Sequence, residues 1–64
     1  MSAMCTGSKI SVFELFEEYK IVSKDQEAIH VIAGDGVTWI IPLYHEDTYE
    51  VTDANGDKAI FVID

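Results

Sequence analysis

Arginine is missing from this 64-residue chain, and only four lysines stand against twelve carboxylates, for a formal net charge of −8. Nucleic acid and anionic membrane are disfavoured as partners, because both are polyanions that would repel it. A strongly basic protein surface is favoured instead. Cys5 is the one cysteine, which excludes an internal disulfide. No Cys/His cluster has zinc-site spacing. Two common staples of very small domains are therefore absent, which leaves close packing or a partner to supply stability. No apolar run approaches the ~18 residues of a membrane-spanning helix. Residues 1–9 (MSAMCTGSK) lack the apolar stretch of a secretory signal. With the lone thiol, this gives the expectation of a reducing, cytoplasmic location.

What is present argues for a folded chain. A hydrophobic fraction of 48% is ordinary for a globular domain and too high for a disordered acidic tail. The length allows one domain, expected over residues 10–64 behind a flexible tail at 1–9. Ser11 and Glu14 match the S-x-x-E capping box, with Ile10 and Leu15 placed as a hydrophobic staple. Val12, Leu15, Phe16 and Tyr19 recur at i, i+3, i+4, i+7, with Glu14, Glu17 and Glu18 on the opposite side. The pattern predicts an amphipathic helix over 11–21.

Beyond it the pattern turns to strands. Residues 27–33 (EAIHVIA) and 37–44 (VTWIIPLY) flank Gly34-Asp35-Gly36, whose glycines offer the positive φ of a tight hairpin. Pro42 cannot donate to a ladder, so an edge, a bulge or a strand end is expected there. His45-Glu46-Asp47 reads as a turn before a strand at 48–52, with Tyr49 and Val51 inward. Asn55-Gly56 marks a further hairpin before the last strand, 58–63. The predicted fold class is α+β: one N-terminal amphipathic helix packed on a four-stranded antiparallel β-meander. One helix covers one sheet face. The other, carrying Ile40, Ile60 and Val62, must curl on itself or be covered by a second copy or a target.

The carboxylates are the leading candidate site. Glu14, Glu17 and Glu18 are expected on the outer helix face, and Asp35, Glu46, Asp47, Glu50, Asp53 and Asp57 in turns and on the polar side of a strand. DNA carries about one charge per 1.7 Å of axis, and a compact acidic protein can offer carboxylates to the same basic surface. The competing reading is that acidic residues only maintain solubility. Tyr44 is a candidate interface aromatic, whereas Trp39 reads as core. Asp53, Asn55, Asp57 and Asp64 fall at calcium-loop spacings, but Lys58 stands where such a loop wants glycine, and a hairpin explains the same residues. His30 and His45 match no local metal motif. Cys5 has no visible base, and Ser8 and Ser11 fit no nucleophile elbow. No catalytic residue, metal or cofactor is expected, and an enzyme is disfavoured in a chain this short.

Taken as a whole, including its opening MSAMCTGSKISVFELFEEYK, the chain resembles the phage-encoded anti-CRISPR proteins, and among them inhibitors of type I-C systems. These are very small, acidic, cytoplasmic single domains without an enzymatic motif. The resemblance implies binding to a basic DNA-binding subunit of a CRISPR surveillance complex and blockade of target DNA binding. The class shares no signature, so no functional residue carries over from it. The alternative is a non-enzymatic interaction or structural module that uses an apolar sheet face, as a homodimer or against a host protein.

Overall fold

A computed structural model describes residues 1–63 and contains no helix among them. Six strands follow in order: β1 (Ser2–Ser8), β2 (Glu18–Lys24), β3 (Ala28–Ile32), β4 (Thr38–His45), β5 (Thr48–Thr52) and β6 (Lys58–Ile63). Each pairs antiparallel with the next, and β6 returns to pair antiparallel with β1, which closes the sheet into a barrel. The α+β expectation is thus corrected to all-β. The last four strands lie where the sequence places them. Closure encloses the face of Ile41, Ala59 and Phe61, whereas Ile40, Ile60 and Val62 lie on the outside of the barrel, Ile40 exposed and the other two half-buried.

Closure explains why the N-terminal third departs from its local pattern. A four-stranded sheet would leave two unpaired edges, and a closed barrel leaves none. An isolated helix of about eleven residues is marginal in water, so its pattern yields when a strand at 18–24 can complete the ladder. Tyr19 and Ile21, two apart, pack against the core from β2. In place of the predicted helix start there are two turns, with Phe13 N donating to Ile10 O (3.0 Å) and Glu17 N to Glu14 O (3.2 Å). Ser8, rather than Ser11, serves the local backbone: its Oγ accepts from Ile10 N (3.0 Å) and donates to Ile10 O (2.9 Å). The predicted stripe is split. Leu15 and Phe16 are exposed, whereas Phe13, outside the stripe, is buried.

Residues 2–8, expected within a flexible tail, form β1. Their inward side chains are small: Ala3 and Cys5 are fully buried and face β6 in register, Ala3 with Ile63 and Cys5 with Phe61. Small residues on β1, and Ala59 on β6, leave room in a narrow barrel for the Phe61 ring, in keeping with the small/large alternation that fills such interiors. Phe61, Ile29, Ile41, Val31 and Cys5 are the largest fully enclosed side chains.

Two strands change partners along their length. β2 pairs with β1 through Glu18–Lys20 and with β3 from Ile21 onward, with a register shift between Ile21 and Ser23. β4 pairs with β3 up to Pro42 and with β5 from Leu43. Pro42 therefore sits at a corner, where a missing N–H costs the ladder least. Such corners let a short sheet bend through a large angle.

One end of the barrel is closed by the β1–β2 connection. Lys9 N donates to Lys58 O (2.9 Å) on one side, and Gly34 N donates to Val12 O (3.2 Å) across from it. Ile10 and Phe13 are buried between these points. Phe13 meets Tyr19, Trp39 and Phe61 edge-to-face at centroid distances of 5.2, 5.1 and 4.8 Å, a geometry that aligns ring edge with ring face. Trp39 Nε1 is buried without a nitrogen or oxygen acceptor, beside the Phe13 ring.

Candidate functional site

Antiparallel next-neighbour pairing places the β1–β2, β3–β4 and β5–β6 connections at one end of the barrel and the β2–β3 and β4–β5 connections at the other. The acidic residues divide accordingly. Glu14, Glu17, Asp35, Asp53 and Asp57 lie in the first set of connections; Tyr44, Glu46 and Asp47 lie at or near the β4–β5 turn. Glu18 and Glu50 stand on the wall, at the head of β2 and within β5. The helix face expected to carry Glu14, Glu17 and Glu18 does not exist, but the three remain together and exposed in the segment that replaces it.

Several of these carboxylates also have structural work. Asp53 Oδ1 accepts from Asn55 N and Asp57 N, both at 2.9 Å, and Asp53 N donates to Asp57 O (2.9 Å). The calcium-loop spacing is thereby explained as a hairpin; Asp64 lies outside the described residues. The β3–β4 turn repeats the design. Asp35 Oδ1 accepts from Val37 N (3.0 Å), and Gly36 takes φ 82° as Gly56 takes φ 83°. Gly34, expected to share that role, is needed for a different reason: a Cβ there would lie 3.2 Å from Val12 O. Glu50 is half-buried and 3.6 Å from Lys58 Nζ, and Glu18 accepts from Ser2 Oγ at 2.8 Å. Glu14 and Asp35 line one open cleft with Ser11, Val12, Tyr19 and Gly34. It is held by a hydrogen bond from Glu14 N to Tyr19 Oη (2.6 Å).

At the other end, Asp25 and Glu27 add two carboxylates in the β2–β3 connection. Asp25 Oδ1 accepts from Glu27 N and Ala28 N, both at 2.8 Å. These bonds hold its carboxyl below the usual range, with His30 adding a smaller pull. Tyr44 is 69% exposed. Glu46 takes φ 50° and sits 3.7 Å from His45.

Cys5 belongs to the core rather than to a tail, and burial pushes its thiol up, away from the reactive thiolate. Among the described residues, no three His, Cys, Asp or Glu side chains converge as metal ligands. A second open cleft runs beside Gly7, Ser8, Lys9, Asp57, Lys58 and Ile60. It holds two of the four lysines, so it interrupts the acidic end on one side.

Leu15 and Phe16 are the surface residues that the sequence reading misplaced. They are 53% and 68% exposed, between Glu14 and Glu17-Glu18. The bracketing of an apolar pair by carboxylates is visible in the sequence, but helical spacing assigns both residues inward. No protein-family model, curated protein or solved structure matches this chain.

Proposed function

We propose that this protein is a small non-enzymatic inhibitor that occupies a basic, DNA-binding surface of a CRISPR surveillance complex and keeps target DNA off it. The observation that carries the reading is the placement of charge. Every hairpin connection holds a carboxylate, and Lys9 is the sole lysine in any of them. A duplex as long as the barrel's 26 Å long axis carries about 15 charges at one per 1.7 Å. The molecule as a whole, at a net charge of −8, carries roughly half of that, divided between the two ends and the wall. The end bearing Glu14, Glu17, Asp35, Asp53 and Asp57, with Glu18 beside it, is the contact surface in this reading. The resemblance to anti-CRISPR proteins supplies the target class.

Purified type I-C surveillance complex, labelled target DNA and this protein form the test. Wild type reduces DNA binding, and its effect weakens steeply as salt rises, because exposed charges are screened within about 8 Å at physiological ionic strength. Charge reversal at Glu14, Glu17 and Glu18 together abolishes inhibition while circular dichroism still reports a folded β protein. Reversal of Asp25 and Glu27 at the opposite end leaves it largely intact. Undiminished DNA binding at saturating wild-type protein rules the proposal out.

A second reading has its own support. Val22 on β2 and Ile40 on β4 are exposed on strands that flank β3, with Leu43 and Tyr44 further along β4. An apolar wall of this kind suits a homodimer or a structural module. Sedimentation across a concentration series separates the two: a dimer disrupted by Ile40→Lys supports the wall as an interface.

A further inference from the structure

We infer that Leu15 and Phe16 form a preorganised hydrophobic anchor that inserts into an apolar pocket rimmed by lysine or arginine on a protein partner. The inference rests on the acidic surface being a recognition device, but not on the identity of the target. Phe16 holds φ 66°, a left-handed conformation that L-residues avoid and that is exceptional for a bulky side chain. Its ring gains no compensating burial, being 68% exposed. The conformation is fixed from below by β1: Phe16 N donates to Cys5 O (2.6 Å), and Cys5 N donates to Glu17 O (3.0 Å). A fully buried residue thus holds the backbone on both sides of the anchor. Glycine at position 16 would satisfy this backbone better than phenylalanine does, so the fold gives no reason for the ring. Strain retained without packing benefit points to use.

Charge selects the occupant. Between Ile10 and Tyr19 the chain carries Glu14, Glu17 and Glu18 and no lysine. A second copy would bring the same carboxylates against these, and an anionic membrane would be repelled in the same way. A cationic rim around an apolar pocket satisfies both parts of the patch: the ring is desolvated at the centre and the carboxylates pair at the edge, the arrangement typical of interface hot spots. The anchor adds affinity that salt does not screen, and the carboxylates add steering.

The test titrates isotope-labelled protein with two defined probes and follows amide shifts. One probe is an amphipathic peptide of lysine and leucine; the other is an oligolysine of equal charge. The amphipathic peptide is expected to bind at least tenfold more tightly, with the largest shifts at residues 14–18. Phe16→Gly is expected to abolish that preference, leave oligolysine binding unchanged, and unfold no more easily than wild type. Equal affinity for both probes, no binding of either, or a preference that survives Phe16→Gly overturns the inference. Because neither probe is a surveillance complex, the anchor can stand where inhibition of that complex fails, and the reverse.

Discussion

The Phe13 ring stands edge-on to that of Phe61, with centroids 4.8 Å apart and planes at 82°. This contact joins the loop that closes one end of the barrel to the last strand. Phe61 is the largest side chain wholly inside, and Phe13 completes its surroundings from the end that this loop closes. Removal of Phe13 should therefore expose the interior rather than trim the surface.

Phe13→Ala is expected to cost about 3–5 kcal/mol, the range for buried phenylalanine truncation. A chain of this length holds roughly 3–10 kcal/mol in total at 0.05–0.15 kcal/mol per residue. The variant should therefore lose a large share of that margin and unfold at much lower urea, with Phe13→Leu weakened less. Urea titration followed by Trp39 fluorescence is the measurement, since that indole lies against the Phe13 ring. Equal midpoints for wild type and Phe13→Ala would contradict the packing described.

Glu46 offers the opposite outcome. It is exposed, sits at φ 50°, and contributes only a 3.7 Å contact to the His45 imidazole, an ion pair when that ring is protonated, both partners open to solvent. Exposed pairs of this kind contribute little, whereas relief of a left-handed L-residue gains roughly 1 kcal/mol. Glu46→Gly is expected to raise the thermal midpoint, as read by calorimetry.

Asp53 separates charge from architecture. Asp53→Asn keeps an oxygen acceptor for the Asn55 and Asp57 amides and should leave stability nearly unchanged. Asp53→Ala loses both bonds and should cost about 1–2 kcal/mol, at roughly 1 kcal/mol per net hydrogen bond. If the two variants melt together, the carboxylate is not the turn's scaffold. Their inhibitory potency should follow charge, and fall equally in both.

The pH profile has two limbs with assigned causes. The Asp25 carboxyl titrates lower in the folded chain than its usual 3.8, because two backbone amides donate to the ionised form. Its stabilisation is present above that value and is lost as pH falls through the lower, folded one. Asp25→Asn should flatten this acid limb. Cys5 is shifted the other way, above its usual 9.0, by burial. Its contribution is intact below that pH and is lost as pH rises through the folded value. Cys5→Ala should flatten the alkaline limb, and native Cys5 should react with a thiol reagent only as fast as the barrel opens.

Local pattern was sufficient from residue 27 onward. Alternating Tyr49 and Val51, and the Asn55-Gly56 turn, specify strand and hairpin within a few residues, and the structure places them so. Residues 11–21 failed because their spacing describes a helix as well as any sequence can. The competitor that displaced it, pairing with β1, depends on residues whose inward side chains are only Ala3 and Cys5. Nothing local marks so small a pair as the wall of a core. The carboxylates were legible as a list but not as a surface, since the end of the barrel each one occupies follows from strand direction.

Composition and local order together set the acidic character, the lack of an internal disulfide and the β-rich second half, because charge, thiol count and β-branched runs between turn residues are properties of the chain in any conformation. Tertiary structure decided the rest: that β6 meets β1, that Phe13 rather than Phe16 goes inward, and that Glu14 and Asp35 share one cleft. Closing a sheet is a non-local event. Its gain, two edges paired at once and a filled interior, is available only when both ends of the chain are in place, so no window of neighbouring residues can announce it.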